Sequence, residues 1–124
     1  MLRADPSADS AVTVSRYNMF SPTRARRISE DGSLQPYIPF EYHYNSENIN
    51  CDRDSQGDVW FADVAVSIIR SKNLENLKEG ILPQRWMGKK ILPVPNQGGC
   101  DIDEPWQIDM SIRWIKDHGF TETR

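Results

Sequence analysis

Residues 58–71 carry the clearest helical pattern in the chain, and this segment constrains the fold more than any other. Its apolar residues recur at positions i, i+3, i+4, i+7 and i+8, which puts them on one face of a helix. These residues are Phe61, Val64, Ala65, Ile68 and Ile69. Asp58 stands where a helix N-cap is expected. The sequence therefore predicts a main helix over about residues 58–71, followed by a shorter candidate helix at 73–79.

Two segments in the first half of the chain alternate apolar and polar residues, as strands do. Val12 and Val14 alternate with small polar residues in the segment 11–20, and aromatic residues alternate with Glu and His in the segment 38–44. Because successive strand residues point to opposite faces of a sheet, this alternation predicts half-buried strands in both segments.

Turn-forming residues separate these elements. Ser21 and Pro22 suit the N-cap and first position of a short helical turn, so the segment 21–32 predicts either a short helix or a wide basic loop. Residues 81–100 hold three prolines and three glycines, which predict ordered loop with at most a short extended piece near 91–94.

The segment 105–118 supports two interpretations. Apolar residues alternate strictly with polar ones from Trp106 to Trp114, which favours a strand. Pro105 near the beginning and Gly119 just past the end are typical helix boundaries, which favours a helix. We prefer the strand, because periodicity reports burial of a whole face whereas boundary residues are common in loops.

These elements predict a small single-domain α+β fold, with a short, mostly antiparallel sheet and one or two helices. A chain of 124 residues is long enough for one such domain with one modest core. The polar residues 1–10 predict a flexible N-terminal tail, which leaves 11–124 as the globular domain.

Charge and hydropathy limit the classes of partner. The formal net charge is −3 and the isoelectric point is about 5.3, so nucleic acid is an unfavourable partner. No segment approaches the roughly 20 apolar residues of a membrane helix, and the N-terminus lacks the apolar core of an export signal. We therefore expect a soluble cytoplasmic protein with reduced thiols at Cys51 and Cys100.

Catalytic residue types are few and lack a recognisable spacing. Cys51, Cys100, His43 and His118 are the only cysteines and histidines, and none lie two to four residues apart as zinc ligands usually do. We predict no cofactor. The alternative is a small hydrolase or metal-dependent enzyme that uses Cys100, His118 and the acidic cluster 101–104, whose candidate metal ligands are Asp101, Asp103 and Glu104.

Residues 82–100 resemble the segment that precedes the nucleophile of papain-like cysteine proteases. The resemblance places Gln97 at the oxyanion-hole position and Cys100 at the position of a disulfide cysteine. Asp103 then stands where the family has its nucleophile, and the family's later His and Asn would lie beyond Arg124. The resemblance therefore implies no protease activity.

Aromatic and arginine residues are the best candidates for a binding surface, because these types dominate the energetics of protein interfaces. The candidates are Tyr37, Tyr42, Trp60, Trp86, Arg24, Arg26 and Arg27. The sequence predicts a non-enzymatic protein that binds another macromolecule, as an inhibitor, an immunity-type protein or a phage accessory protein does. The partner we expect is a protein, and the acidic net charge favours a basic one.

Overall fold

The computed structural model describes residues 1–43, 46–99 and 101–119. These residues form five strands, one α-helix and several short 3₁₀ turns. The strands and the helix are β1 (Ser10–Arg16), β2 (Arg26–Ile28), β3 (Leu34–Pro36), β4 (Trp60–Ile69), β5 (Ile91–Pro95) and α1 (Pro105–Asp117). The chain divides into two compact units, one of Met1–Ser15 with Ala62–Arg124 and one of Arg16–Phe61.

Three strands form a mixed sheet in the order β4-β1-β5. β1 and β5 run parallel, with Ser10 opposite Ile91. β1 and β4 run antiparallel, because the Tyr17 amide donates to the Val59 carbonyl at one end and the Arg70 amide donates to the Asp9 carbonyl at the other. The central strand β1 is therefore paired on both sides, and β4 and β5 are the two edges.

A second, two-stranded sheet is a hairpin of β2 and β3, which pair antiparallel with Arg26 opposite Pro36 and Ile28 opposite Leu34. Gly32, with φ of 80°, takes the left-handed conformation that the turn of this hairpin needs. The hairpin lies wholly within the unit Arg16–Phe61.

The apolar core is small and centres on the predicted strand near the N-terminus. Val12 and Val14 of β1 pack with Met87, and the half-buried Trp86 and Ile91 pack against this cluster. The strand predicted within 11–20 is confirmed as β1. The ordered loop expected over 81–100 is wrong for residues 91–95, which form the strand β5 paired with β1 in spite of Pro93 and Pro95.

The main helix predicted over 58–71 is wrong, because residues 60–69 form the ten-residue strand β4. Most of this strand is exposed, so the helical spacing of its apolar residues does not report a buried face. The segment is rich in β-branched residues, which favour strands over helices. The candidate helix at 73–79 is replaced by two 3₁₀ turns, Ser71–Leu74 and Leu77–Glu79.

The strand preferred for residues 105–118 is also wrong. These residues form the 13-residue helix α1, with Pro105 at its first turn. Gln107 accepts hydrogen bonds through Oε1 from the backbone amides of Asp103 (2.7 Å) and Glu104 (2.6 Å), which caps the helix start. The predicted strand within 38–44 is replaced, over the described residues, by the 3₁₀ turn Phe40–Tyr42.

The end of the predicted N-terminal tail is packed. Ala8 is fully buried, the Asp9 amide donates to the Lys90 carbonyl at 2.8 Å, and Ser10 begins β1. The domain bounds 11–124 stay a prediction. The α+β class is confirmed by one α-helix and two small sheets, in which two strand pairs are antiparallel. Within the described residues, no helix is long and apolar enough to cross a membrane.

Candidate binding site

The unit Arg16–Phe61 holds a cavity of about 500 Å³, which we call the arginine cleft. Its lining residues are Thr23, Arg24, Arg26, Phe40, Ile49, Asn50, Cys51 and Gln56. Two arginines of the predicted basic run therefore lie in one cavity, together with an aromatic ring and neutral polar groups. This volume is within the range of small-ligand pockets, which is roughly 300–1,000 Å³.

Local sequence fixes the first arginine of the cleft. Ser21 and Pro22 start the 3₁₀ turn Pro22–Arg24 as predicted, and Ser21 Oγ accepts a hydrogen bond from the Thr23 amide at 3.4 Å. At the end of the turn, Arg24 Nη2 donates to the Cys51 carbonyl at 3.1 Å. Because the acceptor is a neutral carbonyl oxygen, this hydrogen bond orients the Arg24 guanidinium without neutralising its positive charge.

Arg26, the first residue of β2, is held in a similar way. Its Nη1 donates to the carbonyls of Thr23 (2.8 Å) and Ala25 (3.0 Å). Its guanidinium carbon lies 5.6 Å from the centre of the Phe40 ring, within the distance of a cation–π contact. The guanidinium plane is therefore fixed by two hydrogen bonds and one aromatic contact.

Buried polar groups form the floor of the cleft. Thr23 and Gln56 are both buried, and Thr23 Oγ1 donates to Gln56 Oε1 at 2.6 Å. The Ser21 and Thr23 hydroxyl oxygens lie 2.8 Å apart in a further hydrogen bond. Because these groups satisfy one another, the floor is preorganised without a ligand.

A smaller apolar pocket of about 120 Å³ adjoins the arginine cleft and shares Thr23 and Phe40 with it. We call it the proline pocket. Its lining residues are Pro22, Thr23, Ile38, Pro39, Phe40, Tyr42 and His43. A ligand in the cleft can therefore place an apolar group beside its polar one.

The hairpin carries two further candidate residues, both outside the cleft lining. Arg27 lies opposite Gln35 and is exposed, and Tyr37 is 65% exposed although its amide donates to the Ala25 carbonyl. The hairpin turn is held by Asp31, and the hydrogen bond from the Ser29 hydroxyl is the main cause that lowers the pKa of this carboxyl to about 2.

The edge strand β4 exposes a second candidate surface. Five of its apolar side chains are between 37% and 58% exposed, namely Trp60, Phe61, Val64, Val66 and Ile68. Val64 has φ of 50°, which a β-branched residue rarely adopts and which indicates a bulge in the strand. The predicted candidate Trp60 and its neighbour Phe61 belong to the unit Arg16–Phe61, whereas Val64, Val66 and Ile68 belong to the other unit.

Asp63 anchors the bulged part of β4 to its neighbours. Its carboxylate accepts hydrogen bonds from the Ser15 hydroxyl (2.6 Å) and the Thr13 hydroxyl. It also accepts from the Ala65 amide and the Asn96 side chain, both at 3.2 Å. Burial acts to raise the pKa of Asp63, but these four hydrogen bonds outweigh it, so the pKa lies below its ordinary value.

Trp86 does not join the other candidates. It is half-buried and packs against Val12, Val14 and Met87, so its bulk serves the core. Among the seven predicted binding residues, the structure gathers Arg24 and Arg26 in the arginine cleft and Tyr42 in the adjoining proline pocket.

The residues of the enzyme alternative are only partly described. Cys100 lies outside the described residues. His118 stacks on Trp114 with ring centres 4.0 Å apart, and Glu104 is the N-cap residue of α1. Over 1–43, 46–99 and 101–119, no three side chains of the types His, Cys, Asp and Glu are grouped to hold a metal ion, and this includes Asp101 and Asp103.

Sequence reasoning missed Phe40, Cys51 and Gln56 as partners of the arginines. Phe40 lies in the segment 38–44, whose alternation predicts a strand. Cys51 and Gln56 lie among the polar, turn-forming residues 45–58, which offer no pattern to place them. Comparisons with protein-family models, with curated proteins and with solved structures found no match to this chain.

Proposed function

We propose that this protein acts without catalysis, by binding another protein, and that β4 supplies the main contact. The observation that carries the proposal is the exposed apolar part of β4 that lies within one unit, with Val64, Val66 and Ile68. An edge strand presents backbone donors and acceptors along its outer side, so a partner strand can extend the sheet there.

The other edge of the sheet supports this choice. β5 contains Pro93 and Pro95, which lack backbone donors and make that edge a poor template for pairing. β4 has no proline, and its one charged residue, Asp63, is held by hydrogen bonds from β1 and Asn96. A partner strand therefore meets no proline along β4, and the bulge at Val64 limits regular pairing to the strand on either side of it.

Helix α1 adds further exposed apolar side chains, which are spread around the helix. Five of its large apolar side chains are each more than two-fifths exposed, namely Trp106, Ile108, Met110, Ile112 and Ile115. Exposed apolar residues in such numbers are typical of surfaces that a partner covers. An inhibitor, an immunity-type protein or a phage accessory protein would each use such surfaces.

The net charge of −3 favours a basic protein as the partner overall, because complementary charge speeds the encounter of two proteins. A cytoplasmic location belongs to the same proposal. The free, exposed thiol of Cys51 supports it, since reducing compartments keep such thiols from oxidation.

The test is a paired capture experiment from the native host. The tagged wild-type chain is compared with the double variant Val66→Lys and Ile68→Lys, which puts two charges on the exposed edge. We expect a stoichiometric partner on the wild type and a roughly hundredfold weaker affinity for the variant, because the charges block strand pairing. Titration calorimetry with the purified partner gives the affinities.

The matched control is the double variant Ile28→Lys and Leu34→Lys. It puts the same charges on an exposed apolar cross-strand pair of the hairpin. Equal partner affinity for the two double variants would refute β4 as the contact, and failure of the wild type to retain any stoichiometric partner would refute the binding function.

A further inference from the structure

We propose that the arginine cleft binds an acidic peptide segment, with a Glu or Asp carboxylate between Arg24 and Arg26 and a neighbouring apolar side chain in the proline pocket. The inference deepens the proposed function, because it gives the chemistry of a segment that the partner would carry. It rests on a region of the chain other than the exposed residues of β4.

The charge of the cleft is the first argument. Among the described residues that line it, Arg24 and Arg26 are the only charged ones, and the others are apolar or neutral polar groups. In the part of the chain that the structure describes, neither arginine has an ion pair with a carboxylate. The chain as a whole is acidic, so this local excess of two positive charges does not follow from composition.

The positioning of the two guanidinium groups is the second argument. Three hydrogen bonds to backbone carbonyls hold them, and Phe40 supports Arg26 from one face. A guanidinium that is already ordered loses little side-chain entropy when a ligand binds. Guanidinium groups also donate paired hydrogen bonds that match the geometry of a carboxylate.

The shape of the site decides between a peptide and a small inorganic anion. The cleft of about 500 Å³ is much larger than one ion needs, and Phe40 and Ile49 give it apolar walls. The proline pocket of about 120 Å³ continues it with a mostly apolar surface, to which Pro22, Ile38 and Pro39 contribute. A phosphate ion would leave these walls in water, whereas a peptide with an acidic and an adjacent apolar side chain covers both.

The test uses two blocked pentapeptides, Gly-Glu-Leu-Glu-Gly and its Gln counterpart Gly-Gln-Leu-Gln-Gly, with inorganic phosphate as a third probe. Binding is followed by NMR through the arginine Nε–Hε signals and the backbone amides of residues 21–43. We expect the Glu peptide to shift the signals of Arg24 and Arg26 with saturation. We expect about tenfold weaker binding of the Gln peptide, because it lacks the charge-assisted hydrogen bonds.

Variants separate the role of the guanidinium groups from that of the fold. Arg24→Gln should weaken the Glu peptide about tenfold, and Arg24→Lys should recover part of the affinity because it keeps the charge. Arg27→Gln is the matched control, since it removes an exposed arginine that does not line the cleft. An unchanged amide spectrum outside residues 21–56 shows that each variant is folded.

Several outcomes would overturn the inference. These are equal affinity for the Glu and Gln peptides, saturation by phosphate with no response to either peptide, equal losses in Arg24→Gln and Arg27→Gln, and no shift up to about 5 mM peptide. Because the capture experiment depends on β4, the cleft can fail while partner binding stands. Conversely, peptide binding can stand while the β4 contact fails.

Discussion

The two edges of the three-stranded sheet differ in how readily a further strand can pair with them. β5 is closed by Pro93 and Pro95 and is tied to β1 at its start, where Asp9 Oδ2 accepts from the amides of Lys89 (2.9 Å) and Lys90 (3.0 Å). β4 has no proline and exposes its apolar residues. The prolines are thus confined to one edge, and the proposed contact with a partner lies on the other.

The largest expected effect is a loss of stability at the closed edge, which is β5, when Gly88 is replaced. This glycine has φ of 83°, and a Cβ added to it would lie 2.4 Å from the Asp9 Cβ. We expect Gly88→Ala to lower the free energy of unfolding by about 3 kcal/mol or more, through backbone strain and displacement of Asp9. Urea unfolding followed by tryptophan fluorescence measures the change.

The control for that variant is Gly32→Ala in the hairpin turn. Gly32 has a similar φ of 80°, but nothing lies within 4 Å of an added Cβ. Only the backbone strain remains, so we expect a loss of about 1–2 kcal/mol. Equal losses at the two glycines would show that the contact with Asp9 does not stabilise the closed edge.

A smaller effect is expected at the open edge, where Asp63→Ala removes the acceptor of four hydrogen bonds. We expect a loss of about 1–3 kcal/mol, because the Ser15 hydroxyl and its neighbours are left without that acceptor. Asp109→Ala, on an exposed position of α1, should change stability by no more than about 0.5 kcal/mol. Equal losses in the two variants would contradict an anchoring role for Asp63.

The smallest effect is a pH dependence at the closed edge. The amides of Lys90 and Lys89, followed by the ammonium of Lys72, lower the pKa of Asp9 below its ordinary value of 3.8. A lowered folded-state pKa stabilises the fold above the ordinary carboxyl pKa, and this contribution is lost as the pH falls below it.

We therefore expect wild type to be more stable than Asp9→Asn at pH 7, and the difference in urea midpoint to shrink between pH 4 and pH 2. Urea titrations of both proteins at several pH values measure the difference. If the difference in urea midpoint between the two proteins stays constant down to pH 2, the charge of Asp9 does not stabilise the closed edge.

The sequence predicted the elements whose residues are decided locally or by the core. β1 was predicted because Val12 and Val14 alternate, and the core buries both of them. A short helical turn was one of the two alternatives for residues 21–32 because Ser21 and Pro22 suit its start, and the structure has the turn Pro22–Arg24 there, although neither alternative included the strand β2 that follows. In both cases the physical cause lies within a few residues or on a single buried face.

The predictions failed at β4 and α1 for a shared reason. A periodicity argument assumes that one face of the element is buried, but both elements are largely exposed in this chain. The helical spacing in β4 and the alternation in α1 therefore carry no information about the fold. At α1 the boundary residues, Pro105 near its start and Gly119 past its end, gave the correct answer.

The candidate site was predicted only in part. Arginine and tyrosine were chosen by residue type, which named Arg24, Arg26 and Tyr42 without showing that their cavities adjoin. Phe40, Cys51 and Gln56 come from loops that have no sequence pattern of their own. Their approach to the arginines depends on long-range hydrogen bonds, such as that from Thr23 to Gln56.

The amino-acid sequence by itself determined the central strand and the start of the turn Pro22–Arg24, because alternation at a buried face and capping residues act over short distances. The α+β class was confirmed, although the predicted helix and one predicted strand had been assigned to each other's segments. The tertiary structure decided that residues 60–69 are a strand, that 105–117 are a helix, and which arginines share a cavity. Those outcomes depend on pairing and packing between residues far apart in the chain, and the spacing of apolar residues does not encode such contacts when the element stays exposed.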